Sequence, residues 1–416
     1  MNKDKKNKVL MIALDFPPCQ SAGVQRTLKF CEQLPDYGWQ PFVLSAKSFI
    51  YNQIEKNTKI PEWLEKNTFR AFGFNSVKHF SIKGKYFLFT ALPDSYITWY
   101  WHSVVIGKKI IKQQNPKLIW STHPCLTTLK IAASLKKYSG LPWIADFRDP
   151  FKGHYELSKD ENISGNKIDY ETVHSADLLV FATKNMAELY KVKYPDVNAS
   201  KFVVIENGYN EEVFSAIESK LSKNECFSDE SEEFCLLHSG AIYDGGRDPC
   251  SLLNAVKIYN SALGPHETKV KIVFRGAECN EKIKNTISSL NINDSVQFLP
   301  SINYAESITE MLSVDALIVI QGACFNNQIP GKVYEYIRAN KTILAIVDKN
   351  GATADLLKDI DHAFVVDVDD EKGIVNALAL IQTTNIANEF NYTIYDRRNR
   401  SKELAGYLDS CYENNG

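Results

Sequence analysis

The sequence predicts an α/β protein of two domains, each built on a doubly wound parallel sheet, with the domains facing each other across a cleft. The first observation is length, because 416 residues exceed what one ordinary hydrophobic core accommodates. The second is that short apolar runs alternate with helix-length segments from end to end, which is typical of parallel strands joined by crossover helices. The third is that this alternation begins again after a polar, acidic segment near the middle of the chain, which predicts a second sheet.

Twelve short runs are predicted to be strands. In the first half they are KVLMIALDF, QPFVLSA, KLIWST, LPWIADF, ADLLVFAT and KFVVIENG, and in the second half FCLLHSGA, VKIVFRGA, VQFLPS, DALIVIQGA, TILAIV and HAFVVDV. We therefore predict an N-terminal domain over residues 1–210 and a C-terminal domain over 211–392, with LSKNECFSDESEEF as a hinge or surface excursion. Open parallel sheets bind ligands beyond the carboxyl ends of their strands, so we expect substrates in the cleft.

The composition is that of a globular protein without a strong overall field. Hydrophobic residues make up 44% and charged residues 24% of the chain. Lys and Arg number 48 against 50 Asp and Glu, so the net charge does not attract nucleic acid. The nine cysteines are never spaced as CxxC and no HExxH occurs, which favours reduced thiols and predicts no metal site. The run VLMIALDF is too short for a signal peptide or a transmembrane helix, so we expect a cytoplasmic protein.

The sequence lacks the common cofactor motifs. DFPPCQSAGVQR has one glycine where a dinucleotide fingerprint needs three, and the P-loop pattern GxxxxGK[ST] does not occur. We therefore expect neither a nicotinamide nor a flavin, and no cofactor besides the substrates.

The segment QIPGKVYEYI predicts an anion site at the start of a helix. Pro330 and Gly331 suit a first helical turn, where unpaired N–H groups and the helix dipole attract anions. Lys332 adds a positive charge there, and Glu335 lies one turn further on. A phosphate beside Lys332 and a sugar hydroxyl beside Glu335 would suit a nucleotide. The alternative is a surface ion pair between these two side chains.

The segment LLHSGAIYDGGRDPC predicts a second phosphate contact. A strand ends near Gly240, and Arg247 follows a Gly-Gly pair that lets a ligand approach the backbone. Arginine suits bidentate contact with phosphate oxygens. The alternative is a plain strand-to-helix turn in which Asp248 caps the helix, but that reading leaves the Gly-Gly-Arg sequence unexplained.

In the first half, residues that could contact a ligand follow predicted strands at several points. Gly23 stands at the mouth of a helix, after the first strand. A predicted strand in the segment LPWIADFRDPF ends at three charged residues, Asp146, Arg148 and Asp149. Three charges at one strand end favour a functional role over structural ion pairing. His123 stands at another strand end, where a structural role and a ligand contact are both open.

The segment ALPDSYITWYWHSVVIGKKIIK mixes aromatic and basic residues. Tyr96, Trp99, Tyr100 and Trp101 precede a basic helix end. Two interpretations are open: packing of the aromatic side chains in the core, and peripheral docking on lipid headgroups at the inner face of a membrane.

In their order and spacing, these segments resemble glycosyltransferase family 4, retaining enzymes of the GT-B fold found in bacterial polysaccharide synthesis. The family's N-terminal loop, helix and strand resemble SAGVQRTLKFCEQLPDYGWQPFVLSA, and its interdomain segment resembles VIENGYNEEVF. Its donor-phosphate loop resembles LLHSGAIYDGGRDPCSLLNAV, and its later helix and strand resemble EYIRANKTILA. The resemblance covers nearly the whole chain. It implies two Rossmann-like domains and a C-terminal helix over 393–416 that packs back toward the N-terminal domain.

The resemblance also implies site roles. Glu335 would bind the nucleotide ribose, and the backbone from Ile329 to Gly331 would meet the diphosphate and the donor sugar. Arg148 stands where the family has its active-site histidine, so it is a candidate to grip a phosphorylated acceptor. Asp146 and Asp149 are then the candidates to position the acceptor hydroxyl.

The chain departs from the family pattern at two further positions. Ala241 replaces the first basic residue of the donor-phosphate loop, and Asn327 replaces the first of two glutamates spaced eight apart. We expect a metal-independent hexosyltransferase that moves a sugar from a nucleotide diphosphate sugar to a hydroxyl acceptor, lipid-linked acceptors included. The alternatives are a catalytically inactive GT-B-like nucleotide-binding protein and a nucleotide-sugar epimerase.

Overall fold

The computed structural model describes residues 6–21, 23–55, 60–81, 88–151, 159–221, 233–242, 245–384, 386 and 390–414. The chain forms two compact units. The first unit comprises residues 1–207 together with 397–416, and the second comprises residues 208–396. Most of the predicted hinge, residues 222–232, lies outside the described residues.

The first unit is built on a seven-stranded parallel sheet of order β3-β2-β1-β4-β5-β6-β7. Its strands are β1 (Asn7–Ile12), β2 (Trp39–Ala46), β3 (Thr68–Ala71), β4 (Leu118–His123), β5 (Trp143–Phe147), β6 (Leu178–Phe181) and β7 (Phe202–Val204). All six runs predicted in this half contain a strand, and β3 is an additional one. β3 is a four-residue edge strand whose first three residues are only half-buried, so it carries no apolar run for a sequence pattern to detect.

Helices join the strands of the first unit and cover both faces of the sheet. They are α1 (Val24–Gln33), α2 (Glu62–Lys66), α3 (Ser76–His79), α4 (Trp99–Gln114), α5 (Leu126–Ser139), α6 (Lys159–Ser175) and α7 (Lys184–Lys193). Successive residues of β1 point to opposite faces: Leu10 and Ile12 join one buried cluster, and Val9 and Met11 join the other.

The second unit is built on a six-stranded parallel sheet of order β10-β9-β8-β11-β12-β13. Its strands are β8 (Glu233–Ser239), β9 (Lys269–Arg275), β10 (Val296–Leu299), β11 (Ala316–Gln321), β12 (Thr342–Val347) and β13 (Ala363–Val366). Its helices are α8 (Glu211–Leu221), α9 (Cys250–Ala262), α10 (Glu281–Leu290), α11 (Tyr304–Ser313), α12 (Gly331–Ala339), α13 (Ala352–Leu357) and α14 (Glu371–Thr383). Every residue of β11 and β12 is buried, which is why both are continuous apolar runs.

The last helix, α15 (Arg397–Glu413), belongs to the first unit and packs along α1. Leu404 and Leu408 are fully buried in the first unit's core. The hydroxyl of Ser401 donates a 2.8 Å hydrogen bond to the side-chain oxygen of Gln33. The first unit is therefore completed by a segment that follows the whole second unit in the chain.

Each sheet has one point where the chain reverses the direction in which it adds strands. In the first unit this switch lies between β1 and β4, and in the second unit between β8 and β11. Loops diverge at such a point and leave a crevice beyond the carboxyl ends of the strands, where doubly wound sheets bind their ligands. The residues at these two crevices are therefore the candidates for a functional site.

Candidate active site

In the second unit, two loops meet at the switch between β8 and β11. The amide of Gly322, after β11, donates a 2.6 Å hydrogen bond to the carbonyl of Gly246, after β8. The thiol of Cys324 donates to the carbonyl of Gly245 at 3.2 Å. The loop with the Gly-Gly-Arg sequence is thereby held against the segment that leads to α12.

Gly245 and Gly246 are required by this contact. Their φ angles are +85° and +153°, in the region that side chains disfavour. A Cβ on Gly246 would also lie 2.4 Å from Cε2 of Phe325 and 2.6 Å from the sulfur of Cys324. The close approach puts the guanidinium of Arg247 above the ring of Phe325, with Cζ 5.3 Å from the ring centroid. This packing accounts for the Gly-Gly-Arg sequence.

Gly240 makes room for the amine of Lys332. Its φ is +128°, and a Cβ built on it would lie 2.9 Å from Nζ of Lys332. Any side chain at this position would be strained and would displace the amine. The end of β8 and the first turn of α12 therefore meet at this glycine.

The amine of Lys332 lies against a histidine that sequence reasoning did not select. Nζ of Lys332 is 3.1 Å from Nε2 of His238, which is fully buried on β8. Nδ1 of His238 lies 3.1 Å from the carbonyl oxygen of Ile318, so Nδ1 donates that bond and Nε2 accepts from the lysine. The only sequence signal for His238 is its position beside the strand end in LLHSG.

Burial and like charges shift both groups in the same direction. Burial lowers the pKa of His238 well below its usual range, and the positive charges of Lys332 and Arg247 lower it further. Burial also lowers the pKa of Lys332 well below its usual range, with Arg247 adding to the effect and Glu335 opposing it. The amine thus sits where an added anion would stabilise its charged form.

The segment before α12 is fixed by two buried polar side chains. The side-chain amide of Gln321 donates to the carbonyls of Phe325 at 2.7 Å and Gln328 at 2.9 Å. The hydroxyl of Thr353 donates to the Gln321 side-chain oxygen at 2.6 Å. The side chain of Ile329 is buried in the core of the second unit.

The first turn of α12 carries the other predicted donor-site residues. Among the described residues, no atom outside the adjoining backbone lies within 4 Å of a Cβ built on Gly331, so there is room beside the Cα of this first helical residue. Glu335, one turn on, is 9% exposed and acts electrostatically on Lys332. Neither side chain is exposed, so the alternative of a surface ion pair does not describe them. Gly240, Arg247 and residues 329–335 thus gather at one crevice.

In the first unit, the switch between β1 and β4 holds an ion pair. Arg148, which follows β5, donates from Nε to the carbonyl of His123 at 2.7 Å and from Nη2 to Oδ2 of Asp15 at 2.6 Å. Burial opposes the charge of Arg148, but Asp15, Asp149 and Asp146 together outweigh it, and the pKa of the guanidinium is raised. Burial lowers the pKa of the His123 imidazole to about 4, so His123 is neutral at pH 7. Sequence reasoning missed Asp15.

Gly23 makes room for the guanidinium of Arg148. A Cβ on Gly23 would lie 1.4 Å from Nη1 of Arg148 and 2.5 Å from Oδ2 of Asp15. A side chain at position 23 would therefore expel the guanidinium. The donor role of Gly23 stays a prediction.

Asp146 does not reach an acceptor in this structure. It is fully buried, and its two oxygens accept from Nε and Nη2 of Arg26 at 3.1 and 2.7 Å. The hydroxyl of Thr122 donates to it at 3.0 Å. Arg26 in turn donates to the carbonyls of Ile205 at 2.9 Å and Glu206 at 3.0 Å. Asp146 therefore orients a buried arginine, and a ligand cannot contact its enclosed carboxylate. The prediction that Asp146 positions an acceptor is corrected for this reason.

Asp149 remains beside the crevice. It is half-buried, and its charge raises the pKa of Arg148. Of the three charges at the end of β5, Arg148 and Asp149 thus lie at the switch point together with Asp15.

The aromatic residues around the start of α4 differ in exposure. Trp99 is fully buried, and Tyr96 and Tyr100 are half-buried against the same core. Trp101 is 62% exposed. Across the described ranges of the chain, no helix is both long enough and apolar enough to cross a membrane.

Comparison with known proteins identifies the fold. No protein-family model matches this sequence, and no curated protein matches it either. A glycosyltransferase structure from Rickettsia africae is 12% identical, with a TM-score of 0.57 over 99% of this chain and 94% of that chain. The Anabaena protein HepE in complex with UDP and glucose is 14% identical, with a TM-score of 0.60 over 97% and 100%. The UDP-GlcNAc 2-epimerase of Methanocaldococcus jannaschii is 10% identical, with a TM-score of 0.56 over 97% and 99%.

At these identities the matches establish the fold alone. The predicted GT-B class, with two Rossmann-like parallel-sheet units, is confirmed. Membership of glycosyltransferase family 4 stays a prediction.

Proposed function

We propose that this protein is a glycosyltransferase that moves a hexose from a nucleotide diphosphate sugar to a hydroxyl acceptor. The observation that carries the proposal is the basic cluster at the β8–β11 switch, where the amine of Lys332, in the first turn of α12, lies against His238 and Gly240 in the field of Arg247. Two basic side chains and the start of a helix in one crevice suit a diphosphate. The complexes of HepE, a protein of the same fold, with UDP and with UDP and glucose support a UDP-sugar as the donor.

In the proposed reaction, the bond between the sugar and the diphosphate breaks and the acceptor oxygen forms a new bond to the sugar. Negative charge then develops on the leaving diphosphate. Arg247, Lys332 and the N–H groups of α12 would stabilise that charge, and no metal ion is needed for this step in the proposal. Glu335 would hold the ribose. Retention of configuration and a role in cell-surface polysaccharide or glycolipid synthesis rest on the family resemblance.

His238 would orient the lysine. Its Nε2 accepts from the Lys332 amine, and its other nitrogen is fixed on the carbonyl of Ile318. We therefore propose that His238 is a positioning residue for the diphosphate contact.

The first test is a calorimetric titration with UDP. We expect Lys332→Ala and Arg247→Ala each to weaken UDP binding by on the order of 10- to 100-fold, because each removes a charge-assisted contact of about 1.5–3 kcal/mol. Lys349→Ala is the matched control, because Lys349 is an exposed lysine of the same unit. UDP affinities that stay within twofold of the wild type in both variants would refute the donor-site assignment.

Epimerisation is the second candidate, because UDP-GlcNAc 2-epimerases share the fold. Incubation with UDP-GlcNAc and no acceptor separates the two functions. Interconversion of the sugar would favour an epimerase. UDP binding without interconversion, transfer or hydrolysis of any donor would favour an inactive nucleotide-binding protein, to which the departures at Ala241 and Asn327 also point.

A further inference from the structure

Two neighbouring helices of the first unit are strongly basic. α4 and α5 carry six lysines and no Asp or Glu, in a chain of net charge −2. The helices pack closely, because a Cβ on Gly107 of α4 would lie only 2.4 Å from Cδ1 of Leu135 on α5. Their positive charges are therefore concentrated on one surface.

The outer face of α4 combines these lysines with exposed apolar side chains. Trp101 is 62% exposed and Val105 is 65% exposed. Lys108, Lys109 and Lys112 follow on the same face, because each residue of an α-helix turns by about 100° and these five positions fall within an arc of about 100°.

The surface continues onto α5. Nζ of Lys130 lies 5.3 Å from the ring centroid of Tyr100, and Nζ of Lys108 lies 4.8 Å from that of Tyr138. Tyr138 is 41% exposed. We name this surface the α4–α5 basic face, and it consists of Trp101, Val105, Lys108, Lys109, Lys112, Lys130, Lys137 and Tyr138.

The lysines of this face lack acidic partners among the residues that the structure describes. Within the described parts of the chain, none of its five lysines forms an ion pair. Lys136, the sixth lysine, is different, because it pairs with Asp177. The face therefore presents five positive charges to whatever lies outside it.

We propose that the α4–α5 basic face docks on an anionic lipid bilayer. The lysines would contact the headgroups, where each basic residue attracts an anionic surface. Trp101 and Val105 would enter the interface, which accommodates an indole ring and a small aliphatic side chain. A polyanion such as nucleic acid would suit the lysines equally well. It has no hydrocarbon region that could receive the exposed side chain of Val105, whereas a bilayer does.

The docking surface and the donor crevice consist of different residues in different units, so vesicle binding and nucleotide binding are separate measurements. If the proposed function also holds, docking would bring the enzyme to a lipid-linked acceptor. If UDP binding fails, the docking result is unaffected. If vesicle binding fails, the nucleotide-binding result is unaffected.

The experiment is co-sedimentation of the full chain with vesicles. We expect binding to vesicles that mix phosphatidylglycerol with phosphatidylcholine and no binding to phosphatidylcholine alone, with affinity falling as salt is added. Lys108→Gln/Lys109→Gln/Lys112→Gln should weaken binding on the order of 100-fold, since about 1 kcal/mol per lysine is about fivefold each. The matched control is Lys47→Gln/Lys184→Gln/Lys349→Gln, which removes the same charge from exposed lysines elsewhere.

Trp101 supplies an independent measurement. Brominated phosphatidylcholine in the anionic vesicles should quench tryptophan fluorescence in the wild type, and Trp101→Phe should lose most of that quenching. Circular dichroism melting checks that each variant is folded. The proposal is overturned if the wild type ignores anionic vesicles, if the two triple variants bind alike, or if the protein binds heparin or nucleic acid but not vesicles.

Discussion

Lys332 illustrates, at the scale of the residue, how burial and neighbouring charge control one side chain. The sequence predicts an ordinary cation at a helix start, whereas the structure encloses the amine between His238, Gly240 and the field of Arg247. Burial and the charge of Arg247 lower the pKa of Lys332. Its amine therefore loses its proton at a lower pH than the amine of an exposed lysine does.

We expect UDP affinity to fall as the pH rises through the lowered pKa of Lys332, by up to about tenfold per pH unit once the amine titrates. The reason is that the diphosphate needs the ammonium form. Binding should therefore take up protons, which calorimetry in two buffers of different ionisation enthalpy detects. Lys332→Arg keeps its charge over the whole range, so its affinity should be nearly flat with pH. Equal pH dependence of wild type and Lys332→Arg would contradict the assignment.

At the scale of the element, buried charge fixes how helices and strands meet. The guanidinium of Arg26, on α1, binds the Asp146 carboxylate of β5 and the carbonyls that follow β7. Both side chains are enclosed, with exposures of 4% and 0%. The pair therefore ties three elements beneath the crevice without contacting a ligand.

Asp146→Ala should lower the free energy of unfolding by about 3–5 kcal/mol, because it leaves the Arg26 guanidinium buried without its partner. Urea unfolding monitored by circular dichroism measures the loss. The double variant Arg26→Met/Asp146→Leu is the control, since it removes both charges and should recover much of the stability. If Asp146→Ala were as stable as the wild type yet inactive, the original catalytic interpretation would regain support.

At the scale of the whole molecule, chain connectivity and structural units do not coincide. α15 follows the second unit in sequence but supplies Leu404, Ala405, Leu408 and Cys411 to the core of the first. The first unit is therefore discontinuous in sequence, whereas the second is one continuous stretch.

This connectivity predicts an asymmetry between fragments. A fragment of residues 208–396 should fold and melt cooperatively, because its core is complete. A fragment of residues 1–207 should not, because removing α15 exposes the apolar surface that it covers. Circular dichroism melting and limited proteolysis distinguish the two. A cooperative transition of the 1–207 fragment at the temperature of the full chain would show that α15 is dispensable.

The fold was largely predictable because its signals are local. Of the thirteen strands in the described residues, apolar runs bounded by polar turns predicted twelve, and the half-buried edge strand β3 gave no such run. The glycines before Arg247 and the Pro-Gly at the start of α12 were also visible, since turns and helix starts restrict residue type over a few positions.

By itself, the sequence determined the α/β class, the two doubly wound sheets and the segments that carry charge at strand ends and helix starts. Only the tertiary structure decided which charges meet. It joined Lys332 to His238 across 94 positions of chain, Arg148 to Asp15 across 133, and enclosed Asp146 with Arg26 across 120. The physical reason is that periodicity records how each segment meets the core, whereas the partner of a side chain depends on packing between segments distant in sequence.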